Sequence, residues 1–227
     1  TGAGDADRQQ VLRLGEKHYA PTPAGAVPER RPGEEPPQMG IRRLEVKAPA
    51  DQAYVARAFK VPQLTSFDKS PQADDALALS MLAAVLDGYD GARLQRAPTG
   101  GPDRGADAVD AGNGLWGRGP QTFSLVGVPA AGKTAEQVEA ALRAEVARVA
   151  REGVTEAELN RVKNAWIAGE IYKLDSVMGQ ARELGQAWLL GLPPDAARQL
   201  LARLREVTPE QVQSVAARYF GDDQLTV

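Results

Sequence analysis

Residues 70–88 have the sequence Ser70-Pro-Gln-Ala-Asp-Asp-Ala-Leu-Ala-Leu-Ser-Met-Leu-Ala-Ala-Val-Leu-Asp-Gly88, which predicts one long helix. Ser70 is a favoured N-cap residue, and the proline after it suits the first turn because its missing N–H needs no partner there. Asp74 and Asp75 favour the positive end of the helix. Apolar residues then cover most of its surface until Gly88 ends it. We therefore expect this helix to be buried at the centre of a domain.

The segments on both sides of this helix have the composition of β-strands. Before it, two segments rich in β-branched and aromatic residues are separated by the turn signal Pro49-Ala-Asp, which predicts a pair of strands. After it, a glycine-rich stretch contains one weaker and one stronger strand pattern, and the chain closes on a last strand that starts at Gln224. The predicted strands are Ile41–Ala48, Tyr54–Val61, Ala106–Leu115 and Thr122–Val128.

From Thr134 onward the sequence predicts helices almost throughout. Three of them open with a capping box, in which a threonine and a Gln or Glu three residues later bond each other's backbone N–H groups. These boxes are Thr134 with Gln137, Thr155 with Glu158, and Thr208 with Gln211. The predicted helices run from Thr134 to Gly153, from Thr155 to about Leu174, from Ser176 to Leu190, from Asp195 to Arg205, and from Thr208 to Gly221.

Composition excludes several classes of function. The 227 residues carry 27 Lys and Arg against 30 Asp and Glu, a net charge of −3, so no global positive field is available to hold a polyanion. No apolar run approaches the roughly 18 to 20 residues of a membrane span. The chain has no cysteine and a single histidine, His18, so it cannot build a thiolate metal site or a two-histidine zinc site. We interpret His18 as a surface or packing residue.

Two glycine motifs resemble nucleotide-binding sequences. Gly127–Thr134 matches the pattern GxxxxGK[ST] after a strand and before a helix, which keeps open an alternative function as a nucleotide-binding protein using Lys133 and Thr134. Thr134 also serves as an N-cap, and no apolar strand ending in an aspartate is available to complete a magnesium site. Gly112–Gly117 spells GxGxxG, but a strand follows it instead of a helix, so a glycine-rich hairpin is the better interpretation.

The first forty residues predict a domain boundary. Residues 21–40 contain six of the sixteen prolines, a composition typical of a semi-rigid linker. Before them, Gln10–Tyr19 aligns with Gln211–Phe220 near the end of the chain, so that Val11 matches Val212. We therefore predict that residues 1–20 are the last helix of a preceding homologous domain, and that residues 41–227 form the main domain.

Several segments together resemble the insulinase/pitrilysin-type (M16) zinc peptidases, over nearly the whole chain. They are Tyr19–Arg43, Asp74-Asp-Ala-Leu, Gly153–Asn164, Leu174-Asp-Ser, Gln180-Ala-Arg-Glu-Leu-Gly, Val207-Thr-Pro-Glu-Gln-Val and Ala217–Phe220. The resemblance implies an α+β fold, a two-layer sandwich in which a mostly antiparallel sheet is packed on one face by helices. It also implies tandem homologous domains, of which one carries an inverted zinc motif, His-x-x-Glu-His, and the other lacks it.

Because this sequence has no such motif, the resemblance implies the C-terminal, non-catalytic domain, inactive alone and binding no cofactor itself. Zinc is expected in a catalytic M16 domain, on the same chain or a separate subunit, and the pair would enclose an unfolded peptide. In the family this domain often offers an arginine and a tyrosine to that peptide. Arg93 and Arg96 are the corresponding candidates here, while Asp107 stands at about the place of the tyrosine. A third hypothesis is a pure interaction subunit that holds peptides without assisting cleavage. Bacterial relatives occur in the cytoplasm and the periplasm, so the compartment is not indicated.

Overall fold

The computed structural model describes residue 4 and residues 6–26, 36–101 and 104–227. Residues 1–3 and 5 of the predicted first segment, residues 27–35 of the predicted linker, and residues 102 and 103 lie outside this part. In chain order the elements are α1 (Arg8–Tyr19), β1 (Val55–Val61), α2 (Pro71–Asp87), α3 (Arg93–Arg96), β2 (Ala106–Asn113), β3 (Gln121–Pro129), α4 (Ala135–Glu152), α5 (Glu156–Lys173), α6 (Val177–Leu190), α7 (Ala196–Glu206), α8 (Pro209–Arg218), a 3-10 helix (Asp222–Gln224) and β4 (Leu225–Thr226).

The described strands form one sheet in the order β2-β3-β1-β4, and every neighbouring pair is antiparallel. In the central pair, Phe59 of β1 lies opposite Phe123 of β3. Both phenylalanines are fully buried, whereas residues between the buried positions of β1 are partly or fully exposed. One face of the sheet is thus covered by helices, which confirms the predicted α+β class with a mostly antiparallel sheet.

The centre of the core is α2, as its sequence predicts. Ser70 caps its first turn by accepting a hydrogen bond from the backbone N–H of Ala73, and Gly88 ends it. Its buried residues are Ala73, Ala76, Leu77, Ala78, Leu79, Ser80, Met81, Leu82, Ala83, Val85 and Leu86. Phe220, just after α8, joins the layers, because its ring centroid lies 4.8 Å from that of Phe59 and 4.9 Å from that of Phe123.

The approach of β3 to α4 depends on a glycine. A Cβ atom at Gly127 would lie only 2.4 Å from Cγ1 of Val138 on α4. Real side chains do not approach so closely, so any larger residue would force the Val138 side chain or α4 itself to shift. The three predicted capping boxes are all formed, at the starts of α4, α5 and α8.

The prediction of a strand over Ile41–Ala48 is wrong. This segment makes one isolated parallel bridge, between Arg42 and Thr226, and does not pair with β1. The backbone N–H of Arg42 donates to the carbonyl of Leu225, and the N–H of Val227 donates to the carbonyl of Arg42. The segment therefore lies along the free edge of β4, because β1 already has β3 and β4 on its two sides.

One additional helix and one helix boundary also differ from the predictions. Residues 93–96 form the short helix α3 within a stretch that predicted only glycine-rich loop. The last helix ends at Arg218, before the predicted end at Gly221, because the chain turns into the 3-10 helix.

The helix α1 packs against none of the described residues closely enough to bury a side chain. Val11 and Leu14 are about half exposed, and His18 also faces solvent. No helix in the described ranges has the length and apolar character required to cross a membrane.

Candidate functional site

An open cleft of about 630 Å³ lies where α3, the end of α4 and the start of α5 meet. We call it the arginine cleft. Its lining includes one tyrosine and four arginines, Tyr89, Arg93, Arg96, Arg148 and Arg161. Both arginines that the sequence suggested for substrate contact therefore face the same opening.

Arg93 is fixed inside the wall of the cleft by Glu158. Its Nε donates to Oε1 of Glu158 at 2.9 Å and its Nη2 donates to Oε2 at 2.8 Å, which is a bidentate ion pair. Nη2 also donates to the carbonyl of Gly153 at 3.0 Å. The side chain of Arg93 is only 8% exposed and that of Glu158 18%. Arg93 thus ties α3 to the turn between α4 and α5.

Glu158 also forms the capping box of α5, since its Oε2 accepts a hydrogen bond from the backbone N–H of Thr155 at 2.9 Å. The hydrogen bonds from Arg93 lower the pKa of this carboxyl to about 2, although burial alone would raise it. The same pairing raises the pKa of the Arg93 guanidinium. The pair is therefore fully ionised near neutral pH.

The other arginines leave donors available at the opening. Arg96 has a side chain that is 62% exposed, and its Nη2 lies 3.9 Å from Oε1 of Glu158, beyond hydrogen-bond distance. Arg161 lies over the ring of Tyr89, with Cζ 5.2 Å from the ring centroid. Arg148 is paired with the buried Glu145 on its own helix at 2.6 Å. The cleft can therefore bind carboxylate or carbonyl oxygens through Arg96 and Arg161.

Sequence reasoning found two of these residues and missed the others. The sequence placed Asp107 at a family tyrosine position, but Asp107 lies outside the lining and accepts a hydrogen bond from Arg104 at 2.9 Å. The tyrosine of the cleft is Tyr89, directly after the glycine that ends α2. Arg148 and Arg161 lie on different helices, so no local sequence pattern links them to Arg93.

The structure does not support nucleotide binding by Gly127–Thr134. The strand before this loop, β3, is antiparallel to both of its neighbours, so neither neighbour ends beside the loop as a parallel strand would. The Thr134 hydroxyl accepts a hydrogen bond from the N–H of Gln137 at 3.3 Å, as expected for an N-cap. Gly112–Gly117 lies at the end of β2 and in the loop before β3, as the hairpin interpretation predicted.

Across the described ranges, no group of three or more His, Cys, Asp or Glu side chains is placed to hold a metal ion. The arginine cleft offers cationic donors, which bind anions and carbonyl groups and repel metal ions.

A family model described as the peptidase M16 inactive domain matches residues 1–166. No curated protein matches the sequence.

Three similar solved structures, all bacterial, share the fold. A protease from Helicobacter pylori is 24% identical with a TM-score of 0.82, and the alignment covers 99% of this chain and 52% of that one. A peptidase M16 inactive domain from Pseudomonas fluorescens is 20% identical with a TM-score of 0.71, covering 98% and 50%. The first half of the periplasmic protease PqqL from Escherichia coli is 20% identical with a TM-score of 0.73, covering 98% and 48%. This chain thus spans about half the length of each. Because the family model covers most of the sequence, the chain belongs to the M16 peptidase family as an inactive peptidase domain.

Proposed function

We propose that this chain is the non-catalytic half of an M16-type zinc peptidase, which closes the chamber over an unfolded peptide and helps to hold it beside the zinc of a partner domain. The observation that carries the proposal is the arginine cleft. Its frame is rigid, because Arg93 is bound on two sides by Glu158 and Gly153, while Arg96 and Arg161 keep donors directed at solvent.

An unfolded peptide presents what this cleft can bind. Its backbone carbonyls and carboxylates accept hydrogen bonds, and a guanidinium supplies up to five donors in a planar fork. Tyr89 adds an apolar ring beside Arg161. A glutamate at the rim, Glu152, keeps the local charge mixed, so binding would not require a strongly acidic peptide. The proposed specificity is therefore broad, with a preference for acidic segments.

Zinc and the water that it activates would be supplied by the partner, on the same chain or on a separate subunit. The partner would carry the inverted His-x-x-Glu-His motif that this sequence lacks, with its glutamate as the general base. The contribution of this chain would be positioning of the peptide, which lowers the barrier by holding reactants in a productive geometry.

The arrangement of α1 supports the proposed domain division. Val11 and Leu14 of α1 correspond in sequence to Val212 and Val215 of α8, which are completely buried. The same apolar pattern therefore has a core partner in α8 and none among the described residues in α1. We propose that residues 1–20 belong to a preceding homologous domain, that residues 21–40 link it to the rest, and that residues 41–227 are the non-catalytic domain.

The test is cleavage of a quenched, unstructured peptide by an M16 domain that carries the zinc motif, with and without this chain added in trans. The rate should rise when the chain is added, while the chain alone, with or without zinc, should cleave nothing. Zinc-dependent cleavage by the chain alone would refute the proposal. Peptide binding by the chain without any effect on the partner's rate would instead support the pure interaction subunit.

A matched pair of variants tests the cleft itself. Replacing Arg96 and Arg161 together with alanine should raise KM about tenfold or more, since each charged hydrogen bond contributes about 1.5 to 3 kcal/mol, and should also lower kcat, since the peptide would be held less often in the productive position. Arg205→Ala, at an exposed position at the end of α7, is the control and should change neither constant. If the double variant behaves like the control, the peptide does not bind in this cleft.

A further inference from the structure

Three arginines of the described chain are almost completely buried, and they differ in their partners. Arg93 donates to Glu158 and Gly153, and Arg203 donates to Asp74 and to the carbonyl of Phe67. The Nε atoms of Arg57 and Arg203 are both buried without an acceptor among the described residues. Arg57, on β1, is only 2% exposed and, unlike Arg203, makes no hydrogen bond to a described residue through its Nη atoms either. Its nearest carboxylate oxygen is Oε1 of Glu139 at 3.7 Å, which is too far for a hydrogen bond.

The carboxylate of Glu139 is hydrogen-bonded to another arginine, Arg43. Nη2 of Arg43 donates to both of its oxygens, at 3.0 and 2.9 Å. Arg57 therefore contacts the ring of Phe59, with Cζ 5.1 Å from the centroid, and is attracted by the charge of Glu139 without a hydrogen bond to it. Burial lowers the pKa of this guanidinium, which is the direction expected when a charged group has lost water without gaining a full partner.

The Arg57 side chain lines a separate pocket of about 240 Å³ between β1, α4 and α8. Small apolar residues form most of its walls, including Val146, Ala150 and Ala216. Arg143 is exposed at the mouth, where its Nη2 pairs with Asp222 at 3.2 Å. The pocket thus has a buried cation, Arg57, in its lining, walls of small apolar residues, and an opening to solvent.

The local charges leave one positive charge uncompensated. The side chains that act most strongly on Arg57 are Glu139, Arg143, Asp222 and Arg43. With Arg57 itself, this group holds three cations and two anions, and both anions already pair with Arg43 or Arg143. A buried guanidinium without a hydrogen-bonding partner is strongly unfavourable, so native proteins normally provide it with a water molecule, an ion or a ligand.

We propose that this pocket, the Arg57 pocket, binds one carboxylate group. A single negative charge would neutralise the excess, and a planar carboxylate matches the fork of the guanidinium. A second negative charge, as on a phosphate, would meet Glu139 and Asp222. The alanine walls suit the short aliphatic stem of an acidic side chain or the terminal residue of a peptide. The site is separate from the arginine cleft, and this inference does not depend on the proposed peptide-holding function.

The binding test follows the Nε–H signals of arginine in the full chain labelled with ¹⁵N-arginine, with the Arg57 signal assigned by its loss in Arg57→Met. Sodium acetate is titrated at constant ionic strength against sodium chloride. The Arg57 signal should move along a saturating curve with acetate only, while the Arg203 signal stays in place. Equal movement in both salts, or no movement in either, would overturn the proposal.

Three short peptides then distinguish the source of the carboxylate. One has a free C-terminus and no acidic side chain, the second is its C-terminal amide, and the third is an amide that contains one glutamate. Saturation by the first alone assigns the site to a peptide terminus, and saturation by the third alone assigns it to an acidic side chain. Saturation by the amide without glutamate would overturn the carboxylate assignment.

Stability measurements separate a binding role from a structural one. Without acetate, Arg57→Met should keep or raise the midpoint of urea unfolding, because it removes an unpaired buried charge. Arg203→Met is the matched control and should lower the midpoint, because it breaks bonds to Asp74 and Phe67. Acetate should raise the midpoint of the unmodified chain and leave that of Arg57→Met unchanged. A loss in Arg57→Met as large as that in Arg203→Met would show that Arg57 is structural.

Discussion

Replacing Glu158 with glutamine should remove the charge from the Arg93–Glu158 pair without removing the cap of α5. Glutamine occupies the equivalent position in the capping boxes of α4 and α8, as Gln137 and Gln211, where its oxygen accepts from the backbone N–H of the capping threonine. The substitution therefore isolates the ion pair from the cap.

The magnitude follows from the burial of the pair. Exposed ion pairs contribute about 0 to 1 kcal/mol, whereas removing one partner of a buried pair costs about 3 to 5 kcal/mol. Arg93 is 8% exposed and Glu158 18%, so the pair is close to the buried limit. The introduced glutamine side chain would keep one hydrogen bond, donated by the charged guanidinium to a neutral amide oxygen. We therefore expect Glu158→Gln to lower the free energy of unfolding by about 2 to 3 kcal/mol.

Glu158→Ala should cost about 1 kcal/mol more than Glu158→Gln, because it also removes the side chain that accepts from the backbone N–H of Thr155. The assay is urea unfolding of the three chains, followed by far-ultraviolet circular dichroism and by tryptophan fluorescence to test two-state behaviour. A loss below about 1 kcal/mol in Glu158→Gln would refute the reasoning, because the pair would then behave as an exposed one. Equal losses in the two variants would show that the hydrogen bond from the backbone N–H of Thr155 to residue 158 contributes nothing.

Three further outcomes are expected. The pKa of Glu158 is lowered from 4.5 to about 2, so the stability that its carboxylate contributes is complete above about pH 4.5 and is lost as the pH falls towards 2. The free energy of unfolding of Glu158→Gln should therefore fall less steeply with decreasing pH between 4.5 and 2. Gly127→Ala should cost about 1 to 3 kcal/mol in urea unfolding, because the new Cβ would lie 2.4 Å from Cγ1 of Val138, and an unchanged midpoint would mean that α4 moves freely. Burial and the hydrogen bond that its hydroxyl donates to Asp75 raise the pKa of Tyr219 to about 12. Its contribution to stability is therefore complete below pH 10 and is lost between pH 10 and 12. Ultraviolet titration of Tyr219→Phe should lack one phenol that ionises near pH 12.

The arginines show where prediction from sequence reached its limit. Arg93 and Arg96 were found through the family resemblance, and both line the arginine cleft. The partner of Arg93, Glu158, was predicted only as a capping residue, since nothing near it in the sequence indicates an arginine 65 positions away. Strand alternation places Arg57 on the same face as Val55 and Phe59, but nothing in the sequence indicates that its Nε is buried there without a hydrogen-bond acceptor.

The strands show the same limit. The β character of Ile41–Ala48 is a local property of the sequence. The segment cannot pair with β1, which already has a neighbour on each side, so it makes its one bridge to β4. The weaker pattern at Ala106–Asn113 became a full strand, because β3 offers it an edge with which it pairs from Ala106 to Asn113, with one register shift between Ala106 and Ala108. Strand pairing depends on which edges the rest of the fold leaves open.

The sequence alone determined the features that depend on residues a few positions apart. These are the three capping boxes, the buried helix from Pro71 to Asp87, and the lack of the inverted zinc motif. Only the tertiary structure decided which charges are buried together, which strands are neighbours, and that the arginine cleft and the Arg57 pocket are separate sites. The physical reason is range: caps and helix periodicity act within one or two turns, whereas burial and ion pairing act between elements that the chain brings together only on folding.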